Sequence, residues 1–97
     1  MGLKNSIIFE NTYIAENTHI DTAIIDKNVI IGKFALVGHG EDYSPNKEKP
    51  DLLFKGMSVI GKGSLVEDNS IIGRNVRIFS NKRIFNGSNI ESGATIK

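Results

Sequence analysis

The sequence predicts an all-β chain wound as a parallel β-helix, and three observations predict it. An aliphatic residue recurs at nearly every sixth position over most of the 97 residues. Asn or Gly commonly stands three places after it, and a small or β-branched residue four places after it. The composition is rich in isoleucine, asparagine and glycine, which favours strands and tight turns over helices. Residues six apart lie on nearly opposite faces of an α-helix, because 3.6 residues make a turn. A hairpin sheet explains alternation but not the longer repeat, and an irregular sandwich of Ile-rich strands is the plainer alternative.

The first run of aliphatic positions is Ile8, Ile14, Ile20, Ile25, Ile31 and Val37, with one five-residue step from Ile20 to Ile25. Around it, Asn11, Asn17 and Asn28 occupy the third place, and Thr12, Thr18, Val29 and Ala35 the fourth. The position just after the aliphatic residue is small or acidic at Ala15, Asp21, Asp26, Gly32 and Gly38. This pattern resembles the hexapeptide signature of left-handed parallel β-helices. There each hexapeptide makes one strand and one turn, and three close a triangular coil of about eighteen residues. Stacking then puts Ile8 on Ile25, Ile14 on Ile31 and Ile20 on Val37. No rung buries its apolar face alone, so neighbours stabilise one another.

After Val37 the repeat stops. Residues 39–56 contain both prolines, Pro45 and Pro50, and the charged run Lys47, Glu48, Lys49. Proline cannot donate to a sheet ladder. The segment is expected to leave the coil and return, as an excursion of about seventeen residues of the kind that is functional or mobile. Leu52, Leu53 and Phe54 within it are expected to lie either on the protein's own prism or against a partner.

The second run is Ile60, Val66, Ile72, Ile78, Ile84, Ile90 and Ile96, every step being six. Its corner set is Gly63, Asn69, Asn75, Asn81, Gly87 and Gly93, followed by Ser64, Ser70, Val76, Ser88 and Ala94. Lys82 takes a corner place that a small residue usually holds, so a bulge is expected between Ile78 and Ile84. Together the two runs make about four to five coils in one domain spanning residues 1–97.

Twelve basic and eleven acidic side chains leave a net charge of +1. That argues against a nucleic-acid or membrane-surface role driven by bulk charge. With no cysteine, neither a disulfide framework nor a thiolate metal site exists. No apolar run approaches the roughly 18 residues of a membrane span, and no signal-like segment opens the chain. A cytoplasmic location is the expectation.

The stretch NSIIFENTYIAENTHIDTAIIDKNVIIGKFALVG resembles the C-terminal domain of ADP-glucose pyrophosphorylases, the glucose-1-phosphate adenylyltransferases of glycogen and starch synthesis. The five-residue step, the block Ile24 to Val29, Val37-Gly38, and the loop pair Asp42-Tyr43 carry the likeness. So do the returning block Gly56 to Lys62 and the tail Ser92 to Ile96. The resemblance implies a non-catalytic domain that assembles subunits and transmits regulator binding. It implies as partners an N-terminal catalytic domain, further subunits in a homo- or hetero-oligomer, and a sugar-phosphate regulator. The family's chemistry joins ATP and glucose 1-phosphate into ADP-glucose and pyrophosphate. Its Gly-rich loop and acidic metal ligands, with the magnesium and ATP they hold, belong to a nucleotidyltransferase domain. This chain has no GxGxxG or Walker-type loop, so an excised C-terminal domain is expected rather than a stand-alone one. The coils beyond Ile72 exceed the shorter family members and leave the sugar nucleotide open.

Other constellations carry weaker chemistry. His39, where the coil breaks, is the candidate general base if the chain is instead a hexapeptide acyltransferase fragment, which would form trimers with coenzyme A between prisms. A solvated loop histidine is the plainer reading of His39, and exposure at a turn that of His19. Two histidines do not make the three-imidazole zinc site of a β-helical carbonic anhydrase. Arg74, Arg77 and Arg83, with Lys82, are candidate contacts for an anionic regulator, since guanidinium matches phosphate geometry; solvated surface charge is the alternative. Leu52, Leu53, Phe54, Phe79 and Phe85 are the candidate interface. Asp21, Asp26, Glu67 and Glu91 point outward from separate coils, with no two forced together as an acid–base pair. A pure scaffold without a ligand is the remaining reading.

Overall fold

The computed structural model describes residues 2–97 and contains fourteen short strands and no helix. In chain order they are β1 (Gly2–Lys4), β2 (Ile7–Ile8), β3 (Tyr13–Ile14), β4 (His19–Asp21), β5 (Ala23–Ile25), β6 (Ile30–Ile31) and β7 (Leu36–Val37). Then follow β8 (Ser58–Ile60), β9 (Leu65–Val66), β10 (Ile71–Ile72), β11 (Arg77–Ile78), β12 (Arg83–Ile84), β13 (Asn89–Ile90) and β14 (Thr95–Ile96). They form three parallel sheets, one per side of a prism. The first is β1-β4-β7-β10-β13, the second β2-β5-β8-β11-β14 and the third β3-β6-β9-β12. The chain visits the sheets in rotation, so the fold is a parallel β-helix of about five turns.

Every stacking expected from the sequence holds: Ile8 on Ile25, Ile14 on Ile31, Ile20 on Val37, Ile60 on Ile78 on Ile96, Val66 on Ile84, and Ile72 on Ile90. The two runs also join. Ile25 pairs with Ile60, Ile31 with Val66 and Val37 with Ile72, giving one continuous prism rather than two. Pairs across the excursion are 35 positions apart, as Ile24 with Val59, against 18 in the later coils, as Val59 with Arg77. The excursion is thus a seventeen-residue insertion into an otherwise full coil.

The inward side chains make the core. Ile25, Ile31, Ile60, Val66 and Ile72 are fully buried, whereas Ile8, Ile14, Ile90 and Ile96 near the two ends are only partly so. Full burial of one such side chain contributes roughly 1.5–3 kcal/mol, so the centre of the solenoid holds the ends. One rung lies ahead of the expected start: Leu3 in β1 pairs with Ile20. It reaches Ile8 by a second five-residue step, and at the open end of the prism it is 51% exposed.

All nine corner residues that the repeat singles out, Asn11, Asn17, Asn28, Asn69, Asn75, Asn81, Gly63, Gly87 and Gly93, have positive φ. Asn and Gly reach that left-handed region at least cost. Phe34 and Thr22 adopt it too, with φ 58° and 51°. The small residues that follow turn inward, and their hydroxyls serve the next coil. Ser58 donates to Gly73 O and accepts from Val76 N; Ser64 donates to Phe79 O and accepts from Lys82 N. This last bond removes the expected bulge. With its backbone N–H held by Ser64, Lys82 keeps the coil in register, and Arg83 and Ile84 pair with Leu65 and Val66 without interruption. His19 lies in β4, not at a turn, and is exposed as expected.

Candidate functional site

The chain turns from the first sheet to the second at one corner of the prism, and there the irregularities collect. That corner holds the two five-residue steps, at Asn5 and Thr22, then the excursion, and then Asn75 and Gly93. A six-residue corner such as 72–78 carries one more residue before its left-handed position than the step 20–25 does. In the later coil that extra residue is Arg74, and its side chain runs back along the corner to the earlier coil.

Arg74 is almost completely buried. Its Nη2 donates to Asp21 Oδ2 at 2.9 Å, its Nε donates to Gly40 O at 2.6 Å, and its guanidinium lies 4.5 Å from the centre of the Tyr43 ring. The Arg74 hydrogen bond holds the Asp21 carboxyl below the usual carboxylate range, with help from the Thr22 hydroxyl. Asp21 therefore stays an acceptor and is a poor base. Tyr43 in turn covers Gly56, where a Cβ would run into the ring and where φ is 91°.

Asn75 and Asn46 fix the rest of the loop. Asn75 is buried, whereas the other corner asparagines are exposed. Its Nδ2 donates to Tyr43 O and Ser44 O, and its Oδ1 accepts from Gly56 N, so one side chain ties both ends of the excursion. The Asn46 side chain, also fully buried, donates to Asn75 O and Ala94 O. Its Oδ1 accepts from the N–H groups of Glu48 and Lys49 and from the Thr95 hydroxyl. The segment is thus a docked strap over the last two coils. Lys47 with Glu91 at 3.2 Å and Lys97 with Glu48 at 2.8 Å add surface ion pairs.

Beside this corner an open groove of about 420 Å3 runs along the outer face of the first sheet, lined by Lys4, His19, Asp21, His39, Gly40 and Arg74 among others. Its charges largely cancel, because Arg74 is spent on Asp21 and Gly40. The cations are Lys4 and Arg74, the one carboxylate is paired, and His39 stands exposed at the rim. Among the described residues no three His, Cys, Asp or Glu side chains gather as metal ligands.

The other residues singled out in the sequence are spread around the prism. Arg77 lies on the second sheet with its guanidinium 4.5 Å from the Phe79 ring centre. Arg83 lies on the third sheet, bonded to Glu67 at 2.6 Å and 4.8 Å from the Phe85 ring centre. The structure therefore brings Arg74, Arg77 and Arg83 each onto its own aromatic ring, not together. Leu53 is buried and lines a small hollow with Val59 and Arg77. Leu52, Phe54 and Phe85 are exposed, and Phe79 is half-buried. Sequence reasoning missed Asn46 altogether. It placed Asn75 only as a turn residue, Asp21 only as a free carboxylate, and Tyr43 only as part of a motif.

The repeat, the prism and the corner insertion define a hexapeptide-repeat domain. The family model described as GlmU-like, C-terminal hexapeptide matches residues 2–60, and the chain belongs to that family. A glucose-1-phosphate adenylyltransferase of Thermomicrobium roseum is 36% identical over 63 residues, which are 65% of this chain and 15% of that protein. The matched stretch is thus a small part of that relative's length.

Proposed function

We propose that this β-helix is the non-catalytic assembly and regulatory part of a glucose-1-phosphate adenylyltransferase-like enzyme. The observation that carries the reading is the 36% identity to such an enzyme over 63 residues that make up only 15% of it. In this reading ATP and glucose 1-phosphate are converted to ADP-glucose, for glycogen synthesis in the cytoplasm, by a nucleotidyltransferase domain outside these residues. That domain would bring the magnesium and nucleotide sites, and this one would join subunits and respond to a phosphorylated sugar.

The experiment is to express the complete open reading frame that contains this chain and assay ADP-glucose formation with and without sugar phosphates. ADP-glucose production that depends on the rest of the frame, with no turnover by residues 1–97 alone, supports the reading. An open reading frame with no nucleotidyltransferase activity defeats it. For regulation, a sugar phosphate should change the rate, and Arg77→Ala with Arg83→Ala should blunt the change. Those two guanidiniums lie on outer faces, Arg83 in an exposed pair with Glu67, whereas Arg74 is buried against Asp21 and Gly40.

A further inference from the structure

We propose that the strap and the last coil open and close as a single unit, so that the excursion after Val37 is a clasp on the C-terminal end of the prism. A solenoid repeat is stabilised by the neighbours stacked on it. In the last coil β13 and β14 stand at the ends of their sheets, each with one neighbour, β10 and β11. The inward Ile90 and Ile96 are only partly buried. A coil stacked on one side only is where opening starts at least cost. The corner between β13 and β14 departs from that expectation. Ser92 and Gly93 are buried there, whereas Gly87, at the corner leading into β13, is exposed. The strap makes the difference: a Cβ on Gly93 would lie 2.7 Å from Pro45 O, whereas one on Gly87 would meet nothing within 4 Å.

Three hydrogen bonds close the seam. Lys47 N donates to Gly93 O at 2.9 Å, Asn46 Nδ2 to Ala94 O at 3.2 Å, and the Thr95 hydroxyl to Asn46 Oδ1 at 3.1 Å. The exposed ion pairs Lys47–Glu91 and Lys97–Glu48 lie along it and add little. The strap's own order runs through the same atom that receives Thr95, because Asn46 Oδ1 also accepts the N–H groups of Glu48 and Lys49. With the coil frayed and the strap still down, the fully buried Asn46 loses its partners at Ala94 and Thr95. With the strap lifted and the coil still wound, Gly93 and Ala94 lose theirs and Ser92 loses its cover. Each half-open state keeps one segment ordered after losing the bonds that offset the entropy of ordering it. The two segments, about 45 positions apart in the chain, therefore open together.

Amide hydrogen exchange of the whole chain tests this. The Lys47 N–H reports on the seam, and the Phe79 N–H, which donates to Ile96 O, reports on the last coil beyond the strap's own hydrogen bonds. In the parent both should exchange with one opening free energy and one denaturant dependence. Both values should be smaller than those of Gly32, which donates to Val66 O at the centre of the prism and opens only with the whole fold. Gly93→Asn suits the left-handed corner, φ 84°, but drives a side chain against Pro45 O. It should speed exchange at Lys47 and Phe79 alike, by about tenfold. Gly87→Asn, the same change at φ 74° in open space, should speed neither. Thr95→Val, a milder change that removes only the bond to Asn46 Oδ1, should act on both amides by one smaller factor. Ala15, which donates to Ile31 O in the first coil, opens with the strap in place and should keep its rate throughout. Exchange at Lys47 with a lower free energy and denaturant dependence than at Phe79 means that the strap lifts by itself, and overturns the inference. So does a Phe79 value equal to that of Gly32, or a Gly93→Asn chain in which Lys47 alone is faster.

Discussion

Arg74 reaches 53 positions back along the chain to place its Nη2 2.9 Å from the Asp21 carboxylate. The same guanidinium holds Gly40 O and faces Tyr43, so one side chain connects the second coil, the excursion and the fourth coil. Its position depends on step length. The five-residue step at Asp21 leaves the space along the corner that the longer step at Arg74 fills.

Replacing Arg74 should therefore release the strap without unwinding the prism. Removing one partner of a largely buried ion pair costs on the order of 3 kcal/mol, reduced here because the Asp21 side chain is 32% exposed. Arg74→Ala should lower the denaturation midpoint by a smaller amount than that figure implies. It should also make the bonds between residues 39 and 56 the first to be cut in limited proteolysis. Arg74→Lys should not rescue the variant, because one ammonium cannot serve Asp21 and Gly40 while lying flat on Tyr43.

The same pair sets a pH dependence. Asp21 is held below the usual carboxylate range in the folded chain, by the Arg74 hydrogen bond first and the Thr22 hydroxyl second. A carboxylate with a depressed folded-state pKa binds fewer protons folded than unfolded. Its stabilisation is therefore present above the ordinary carboxylate range and is lost as pH falls through that range and below. Asp42, held down by the Ser44 hydroxyl and N–H, acts in the same direction. Thermal denaturation should show stability falling on acidification, and Asp21→Asn should flatten part of that fall. An unchanged profile in Asp21→Asn would remove Asp21 from the account.

The prism was legible in the sequence because each hexapeptide repeats the same local demand: an inward aliphatic residue, a left-handed corner, a small residue behind it. Ile8 and Ile25, or Ile60 and Ile78, could be paired by counting alone. Leu3 escaped because its step is five and no preceding rung repeats it. The bulge expected at Lys82 was wrong because the backbone N–H, not the side chain, meets Ser64. The strap was less legible still. The bonds by which Asn46 and Asn75 lay the strap down span 19 to 49 positions, and no local period encodes a partner at that distance. Asn75 looks like every other corner asparagine until the loop is laid over it.

Those two asparagines should separate loop docking from corner geometry. Asn46→Ala leaves the buried Asn75 carbonyl without this donor and the N–H groups of Glu48 and Lys49 without their acceptor, and an orphaned buried group costs about 1–3 kcal/mol. Asn75→Gly keeps the left-handed corner, φ 58°, but loses the bonds to Tyr43, Ser44 and Gly56. Asn75→Ala loses both. Hydrogen exchange should show faster exchange at Gly56 in both Asn75 variants. Denaturation should rank Asn75→Ala as the less stable of the two, by about 1 kcal/mol. Equal stability would mean that the left-handed corner costs alanine nothing over glycine and that docking alone matters.

Phe34 supplies the converse case, a residue whose replacement should stabilise. Its φ of 58° matches Asn28 and Asn75 at equivalent corners, and its ring is 57% exposed, so burial returns little for the strain. Phe34→Asn keeps a side chain that tolerates the left-handed region and should gain about 1 kcal/mol. In a domain of this size that raises the melting temperature by roughly 4–8 °C. Thermal denaturation of the two chains side by side reads the gain, and no gain would show that the corner carries no strain worth relieving.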